Sequence, residues 1–147
     1  MSDGKDMTVR EANIYALESS QDAFIKLKEA FKASSESFDL GNDAIGLQLI
    51  KDEIIPQLSN LYQFCYTLIN VFDAVLSDDV REEMQSSFAS LEALMRTLTD
   101  ETEAGNFTEV GDILRFDLSD QINQLSVSFP KIAECFRKSP MKELDAH

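Results

Sequence analysis

Few residues in this sequence can perform catalysis. Its single histidine is His147, the last residue of the chain. A serine or cysteine nucleophile ordinarily needs a histidine base, zinc sites need several closely spaced Cys and His ligands, and helical di-metal sites use Glu-x-x-His pairs. None of these patterns occurs, and neither does a glycine-rich phosphate loop or a dinucleotide-binding fingerprint. The sequence therefore predicts a non-enzymatic protein with no metal and no cofactor.

Carboxylates are the one reactive group present in number. Candidates on the predicted fourth and second helices are Asp112, Asp117, Asp120 and Glu53. Inward-facing acids in a helical bundle can bind a metal ion or act as an acid–base pair. At this acid content we favour a solvated face beside the apolar stripe. The remote alternative is a carboxylate-metal enzyme. It would be supported if these acids came together inside the core.

The two cysteines, Cys65 and Cys135, both fall within apolar helical patterns. The N-terminal residues are polar and lack the apolar stretch of a signal peptide. No apolar run approaches the roughly 20 residues that a membrane-spanning helix needs. We therefore expect a soluble, cytoplasmic protein whose cysteines are packed in the interior rather than joined in a disulfide.

The balance of charge restricts the partners. The 147 residues include 27 Asp and Glu against 13 Lys and Arg, a net charge of −14. Nucleic-acid binding depends on Lys and Arg that displace counterions from phosphates, and anionic membrane surfaces attract basic segments. Nucleic acid and membrane are therefore excluded as expected partners. Basic partners stay open, although the acidity also serves solubility alone.

Apolar residues at helical spacing predict four amphipathic helices. Thr8, with Glu11 three residues later, predicts a capping box at the start of the first helix. Ser77 and Thr108 are the predicted caps of the third and fourth helices. The predicted organisation is a disordered N-terminus (1–7), one domain (8–138) made of hairpins 8–76 and 77–138, and a flexible tail (139–147).

The second helix, predicted from position 42 or 43 to Leu76, has apolar residues on two stripes. A face this wide indicates the most buried helix, or one with an additional partner. Pro56 in this helix and Pro130 in the fourth predict kinks, and residues 34–42 are expected to form a loop. The fold prediction is all-α, an antiparallel four-helix up-down bundle. A three-helix bundle broken at Pro56 and a dimer that shares helices are the alternatives.

Shifting the chain by 64 residues against itself aligns the two hairpins without a gap. Gly41-Asn42 then falls on Gly105-Asn106, and Phe24 falls on Phe88. Matching apolar stripes are weak support, because any two amphipathic helices match in some register. A Gly-Asn pair is not placed by periodicity, so its match is stronger support. The sequence therefore predicts two duplicated helical hairpins.

Residues 106–118 resemble a stretch in an uncharacterised family of small acidic helical proteins from Gram-positive bacteria. The shared pattern is an aromatic, several apolar residues, Ala-Asp-Leu-Leu, and then aromatic-acid-Leu. Here Gly111 replaces the alanine, Phe116 and Asp117 keep the pattern, and Arg115 departs from the usual acid. The resemblance implies a bacterial helical bundle and no activity. In size, acidity and helical hairpins the chain is also similar to flagellar-export chaperones, a similarity of architecture alone.

Aromatic residues away from the main apolar stripes are the candidate partner-binding residues. They are Tyr62, Phe64, Tyr66 and Phe116. Exposed aromatics can anchor a partner helix in a groove, whereas a wide core would bury them. The sequence favours a non-enzymatic, chaperone- or adaptor-like protein that holds a helical protein partner beside the second helix. The alternative is a structural bundle that self-associates as a homodimer.

Overall fold

The structure is a computed structural model that describes residues 6–147, so residues 1–5 of the predicted disordered N-terminus lie outside the described residues. Within that range the chain forms four helices and no strand. Helix α1 is Val9–Asp39 and helix α3 is Asp78–Glu103. Helices α2 (residues 43–70) and α4 (residues 107–138) each contain one wide π-helical turn. Their consecutive parts are Asp43–Leu49, Ile50–Ile54 and Ile55–Asn70 in α2, and Phe107–Asp112, Ile113–Asp117 and Leu118–Lys138 in α4.

The first helix starts at the predicted cap, Thr8, whereas the predicted capping of the third and fourth helices differs from the structure. The Glu11 amide donates to Thr8 Oγ1 at 3.1 Å, and the Thr8 amide donates to Glu11 Oε1 at 3.0 Å, which confirms the capping box. Ser77 is at the N-cap of α3, but its side chain makes no capping bond. Helix α4 is capped at Asn106 rather than Thr108, because the turn closes at Gly105 and the helix begins directly after it.

The predicted loop over 34–42 is wrong for its first six residues, because α1 continues to Asp39. Ser34 and Ser35 in this stretch are buried. Their hydroxyl groups are bonded to main-chain carbonyls, from Ser34 to Gly46 O at 2.9 Å and from Ser35 to Lys32 O at 3.1 Å. A serine-rich segment that resembles a loop therefore stays helical, since its polar groups are satisfied inside the fold.

The two hairpin turns have the same backbone geometry, 64 positions apart. Gly41 and Gly105 both adopt the left-handed conformation, with φ of 80° and 74°. In each turn the glycine amide donates to the carbonyl three residues back, at 3.1 Å in both. The following asparagine amide donates five residues back, at 2.8 Å after α1 and 3.0 Å after α3. This is the glycine-terminated helix end in which a residue with a Cβ is strained.

Helix α2 ends at Asn70, before the predicted end at Leu76. The apolar spacing continues because Val75 and Leu76 pack into the core beneath the linker, where residues 73–75 form a single 3₁₀ turn. The apolar spacing in the sequence therefore indicates which residues are buried, and it continues past the residue where the helix ends.

The prolines do not determine where the helices deviate from α geometry. Pro56 directly follows the π-helical turn of α2, where its missing amide is tolerated. The π-helical turn of α4, at Ile113–Asp117, contains no proline. Pro130 lies inside the part of α4 that continues unbroken to Lys138. At the predicted kink near Pro56, α2 has a π-helical turn. Helix α4 has a turn of the same kind without a proline, so such a turn does not require one.

Helix α1 packs along α4 and against the first part of α2, whereas the Ile55–Asn70 part of α2 packs against α3. Aromatic pairs connect these helices in the core. Phe24 of α1 and Phe64 of α2 both contact Phe129 of α4, with ring centroids 5.3 and 5.7 Å away. Phe72 and Phe136 meet at 5.3 Å. None of the helices within residues 6–147 is long and apolar enough to cross a bilayer.

The C-terminal segment differs from the predicted flexible tail, because it folds back onto the start of α1. Residues 142–145 form a 3₁₀ turn in which Leu144 is buried. The Arg10 guanidinium donates to the main-chain oxygens of Phe136 and Ser139 and pairs with Asp145 at 3.0 Å. The buried Leu144, the Arg10 guanidinium and the bond from the Val9 amide to Ala146 O hold a segment whose composition is largely polar.

Candidate functional site

An apolar groove lies between α1 and the Ile55–Asn70 part of α2 and encloses about 240 Å³. Its lining, here called the groove residues, is Ala16, Ser20, Ala23, Phe24 and Leu27 from α1, and Gln57, Asn60, Leu61 and Phe64 from α2. None of these residues is charged, although charged residues make up 27% of the chain. The groove is therefore an apolar, uncharged recess on a strongly acidic molecule.

The groove exists because α2 separates from α1 after its π-helical turn. The Asp43–Leu49 part packs on α1 next to the hairpin turn, and the Ile55–Asn70 part packs on α3 instead. On the α1 side, Ala16, Ser20 and Ala23 are spaced by four and three residues, so they lie on one face of the helix. Small side chains there leave the space between the helices unfilled.

The floor of the groove is part of the packed core. Phe24 is 4% exposed and Leu27 is 3% exposed, whereas Leu61 and Phe64 are half-buried. The rings of Phe24 and Phe64 both contact the fully buried Phe129 of α4, which therefore connects the two walls of the groove. Packed aromatic rings of this kind hold the shape of a recess, because interiors at crystal-like density have few alternative arrangements.

The wall of the groove on α2 supplies two carboxamides, Gln57 and Asn60. Gln57 is half-buried and Asn60 is exposed, and within residues 6–147 neither side chain is bonded to another residue. On the opposite wall the Ser20 hydroxyl donates to the Ala16 carbonyl of its own helix at 2.7 Å. The groove thus combines an apolar floor with unused amide donors and acceptors at one edge, the composition usual for ligand-binding recesses.

At the matching positions α3 and α4 stay packed on each other. Ala16, Ser20 and Ala23 correspond, 64 residues later, to Val80, Met84 and Ser87. Met84 is fully buried. Gln121, which corresponds to Gln57, donates from Nε2 to the Ser87 main-chain oxygen at 3.1 Å. Met84 and this cross-helix bond occupy the place that is open between α1 and α2. A depression of about 450 Å³ lies on the outer side of this pair and includes a charged residue; it is lined by Glu83, Ser86, Ser87, Asn123, Gln124 and Val127.

The four predicted partner-binding aromatics do not form one surface. Tyr62 stacks on Phe88 of α3 at 4.6 Å, and Tyr66 approaches the same ring at 6.2 Å while 48% exposed. Phe64 lines the groove. Phe116 is 56% exposed on α4 with the Arg115 guanidinium 5.9 Å from its ring centre. The structure brings Tyr62 and Tyr66 together and separates them from the other two.

Sequence reasoning missed the α1 wall of the groove. Ala16, Ser20 and Ala23 are small residues in an amphipathic helix, which is unremarkable by itself. The available signal was the comparison with Val80 and Met84 in the 64-residue register, where the same positions are large.

The candidate carboxylates do not converge in the core. Glu53, Asp117 and Asp120 are exposed, and Asp112 is half-buried with its carboxylate 3.8 Å from Arg115. In the part of the chain that the structure describes, no three or more His, Cys, Asp or Glu side chains are grouped so as to hold a metal ion. The carboxylate-metal alternative therefore gains no support from the positions of these residues.

Both cysteines are free thiols. Cys65 is fully buried, and burial raises the pKa of its thiol to about 12, so it is uncharged at neutral pH and serves packing. Cys135 is half-buried beside a depression of about 510 Å³ between the linker after α2 and the end of α4. Lys131 at its rim is paired with Glu83 at 3.3 Å.

In the described residues, fold and site define an all-helical protein with an uncharged interhelical groove. Comparison with protein families then gives its relationship: a model described as "Domain of unknown function (DUF8042)" matches residues 15–128, or 114 of the 147 residues. The chain belongs to this family. All the groove residues lie inside the matched range, whereas the C-terminal segment lies outside it. No curated protein and no solved structure matches the chain significantly.

Proposed function

We propose that this chain is a non-enzymatic, protein-binding helical bundle, chaperone- or adaptor-like, which holds a helical segment of another protein in the groove between α1 and α2. In this proposal it acts in the cytoplasm, needs no metal or cofactor, and does not bind nucleic acid or membranes.

The observation that carries the proposal is the difference between the two helix pairs. Helices α3 and α4 stay packed on each other, with Met84 fully buried and Gln121 bonded to the Ser87 main-chain oxygen between them. Helices α1 and α2 leave apolar surface and two amides open at the matching positions. An unfilled recess forgoes the dispersion contacts that a packed interior gains. Recessed apolar surface that a partner helix covers on binding is a recurring mode of peptide recognition.

The same proposal includes the finer architecture, an up-down bundle built from two duplicated hairpins. Three observations support it. The hairpin turns share their hydrogen bonds in the 64-residue register, and each is followed by a π-helical turn, at Ile50–Ile54 and Ile113–Asp117. Phe72 and Phe136 occupy matching positions and contact each other, as residues near a twofold axis do. Two hairpins that fail to superpose in an experimental structure would contradict the duplication.

The binding proposal is tested by filling the groove with the side chains that α3 has at the same positions. Ser20→Met, alone or with Ala16→Val, should close the groove and leave the protein as stable or more stable, because the lost Ser20 hydrogen bond is only to its own helix. Partners recovered by affinity purification from the native host should bind the variant at least about tenfold more weakly, the equivalent of about 1.4 kcal/mol. Isothermal titration with the recovered partner measures the change.

Ser19→Met is the matched control. Ser19 is exposed, lies outside the groove, and donates to Tyr15 O at 2.6 Å, as Ser20 does to Ala16 O at 2.7 Å. The control should retain partner binding. Equal recovery of the same proteins by Ser19→Met and Ser20→Met would overturn the proposal.

A homodimer is the second candidate, favoured by the exposure of Tyr66 and Phe116, at 48% and 56%. Light scattering across a concentration series distinguishes the two functions. A stable dimer that Tyr66→Ser or Phe116→Ser dissociates, and that Ser20→Met does not affect, supports self-association. A monomer at every concentration supports the binding proposal.

A further inference from the structure

The groove residues also specify the chemistry of their occupant, an inference that rests on the proposed function. We infer that the groove takes an amphipathic helix of about three turns whose contact face is uncharged, held by shape and by a hydrogen bond from Gln57.

The dimensions of the groove set the length of the occupant. Its α1 wall extends from Ala16 to Leu27, which at about 1.5 Å per residue is about 16 Å, or three helical turns. Both walls are helices, so the recess between them is a long furrow. The small residues Ala16, Ser20 and Ala23 allow the backbone of a third helix to approach closely.

The charge of the groove sets the character of the contact face. The groove residues are uncharged, and the whole Ile55–Asn70 part of α2 contains no Asp, Glu, Lys or Arg. A basic contact face would bury its cations without a carboxylate to pair with, at a desolvation penalty. An acidic contact face would enter a molecule of net charge −14. An uncharged face is complementary to this recess.

Gln57 supplies the directional contact. Its counterpart 64 residues later, Gln121, donates to the main-chain oxygen of Ser87 on the neighbouring helix at 3.1 Å. Opposite Gln57, the position matching Ser87 is Ala23, and no carbonyl there accepts its amide in the described chain. A helix in the groove that presents a carbonyl or hydroxyl oxygen to Gln57 completes the bond that α3 and α4 already make.

Two labelled synthetic peptides of about 14 residues test the inference by fluorescence anisotropy. Both carry the same Ala and Leu stripe; one has Gln and Ser at the positions beside the stripe and the other has Lys there. Titrations are made at about 500 mM NaCl, where long-range attraction by the net charge is screened. We expect the neutral peptide to bind more tightly than the Lys peptide, with an affinity that changes less than about twofold between 50 and 500 mM NaCl.

Variants locate the binding. Ser20→Met should lower the affinity for the neutral peptide at least about tenfold. Gln57→Ala should weaken it about fivefold, the usual effect of one hydrogen bond, and the control Gln63→Ala on the exposed face of α2 should not. Circular dichroism and the thermal midpoint show that each variant is folded.

The outcomes separate this inference from the proposed function. Tighter binding of the Lys peptide, still blocked by Ser20→Met, overturns the uncharged contact face and leaves the groove as a helix-binding site. Binding of either peptide that Ser20→Met does not alter overturns both. If neither peptide binds, the inference fails, and the partner experiment with the native host decides the proposed function independently.

Discussion

Gly46 shows how tightly a single position can be constrained in this molecule. The ring of Phe38 covers it and stacks on Phe107 with centroids 4.9 Å apart, so the two rings join the ends of α1 and α4 next to the hairpin turns. A Cβ on Gly46 would lie 2.7 Å from Cζ of Phe38. Glycine is thus required here for close approach, and its own backbone oxygen accepts the Ser34 hydroxyl.

Gly46→Ala should destabilise the protein by about 1–3 kcal/mol, because the added methyl group displaces the aromatic stack. Gly111→Ala is the matched control, since Gly111 is also buried and helical but a Cβ there meets its nearest atom only at 3.9 Å. The control should be neutral or stabilising by about 0.5–1 kcal/mol, because alanine favours helices more than glycine does. Urea unfolding measures both, and equal effects would contradict the role of the Phe38 ring.

At the scale of elements, the C-terminal segment depends on Arg10. The guanidinium of Arg10 donates to Ser139 O at 2.9 Å and Met141 O at 3.3 Å, and so satisfies carbonyls beyond the end of α4. Its hydrogen bond and ion pair lower the pKa of Asp145 below the ordinary 3.8. The Asp145 carboxylate therefore favours the docked segment at pH above 3.8, and this contribution is lost as the pH falls through the lowered pKa.

The docking of the C-terminal segment should consequently weaken as the solution is acidified below pH 3.8, while the burial of Leu144 and the Arg10 bonds to carbonyls remain. NMR chemical shifts of the Leu144 and Ala146 amides against pH, with those of α3 as internal reference, should follow this titration. In Asp145→Asn the acid-dependent change should disappear, and in Arg10→Met the segment should be detached even at neutral pH. Unchanged amide shifts in Arg10→Met would contradict the role of Arg10 in holding the C-terminal segment.

The helices themselves were largely predictable, because 3.6-residue periodicity identifies buried stripes in long amphipathic segments. The residues at which the helices end were harder to predict. The helix over 34–39 was missed because its serines are satisfied inside the fold, Ser34 by the Gly46 carbonyl of α2 and Ser35 by a carbonyl of its own helix. Helix α2 was extended to Leu76 because burial continues beyond its end. Of the site, only Phe64 was predicted. The α1 wall was not, since a groove arises from the divergence of two helices and no local pattern records that divergence.

At the scale of the whole molecule, the dominant feature is the net charge of −14. The ion pairs within residues 6–147 lie at the surface, such as Arg96–Glu92 at 3.6 Å and Lys131–Glu83 at 3.3 Å, where each contributes little. Repulsion among the excess carboxylates opposes the compact state, and salt screens it.

Adding NaCl should therefore stabilise the protein. Between 20 and 500 mM we expect the free energy of unfolding to rise by about 1 kcal/mol, which for a chain of this size raises Tm by roughly 4 °C. Differential scanning calorimetry measures the shift. A Tm that falls as NaCl is added would mean that the surface ion pairs outweigh the repulsion.

The pairing of α1 with α4 also governs the order in which the fold can assemble. The Val9 amide donates to Ala146 O at 3.0 Å, and the Gln21 side chain is bonded to Ser126 in both directions, so the main partner of the first helix is the last one. During synthesis α1 emerges about a hundred residues before α4, and contacts this distant in sequence form late. Until α4 leaves the ribosome, the apolar stripe of α1 has only α2 to cover it. A nascent chain truncated before α4 is therefore the form most exposed to aggregation.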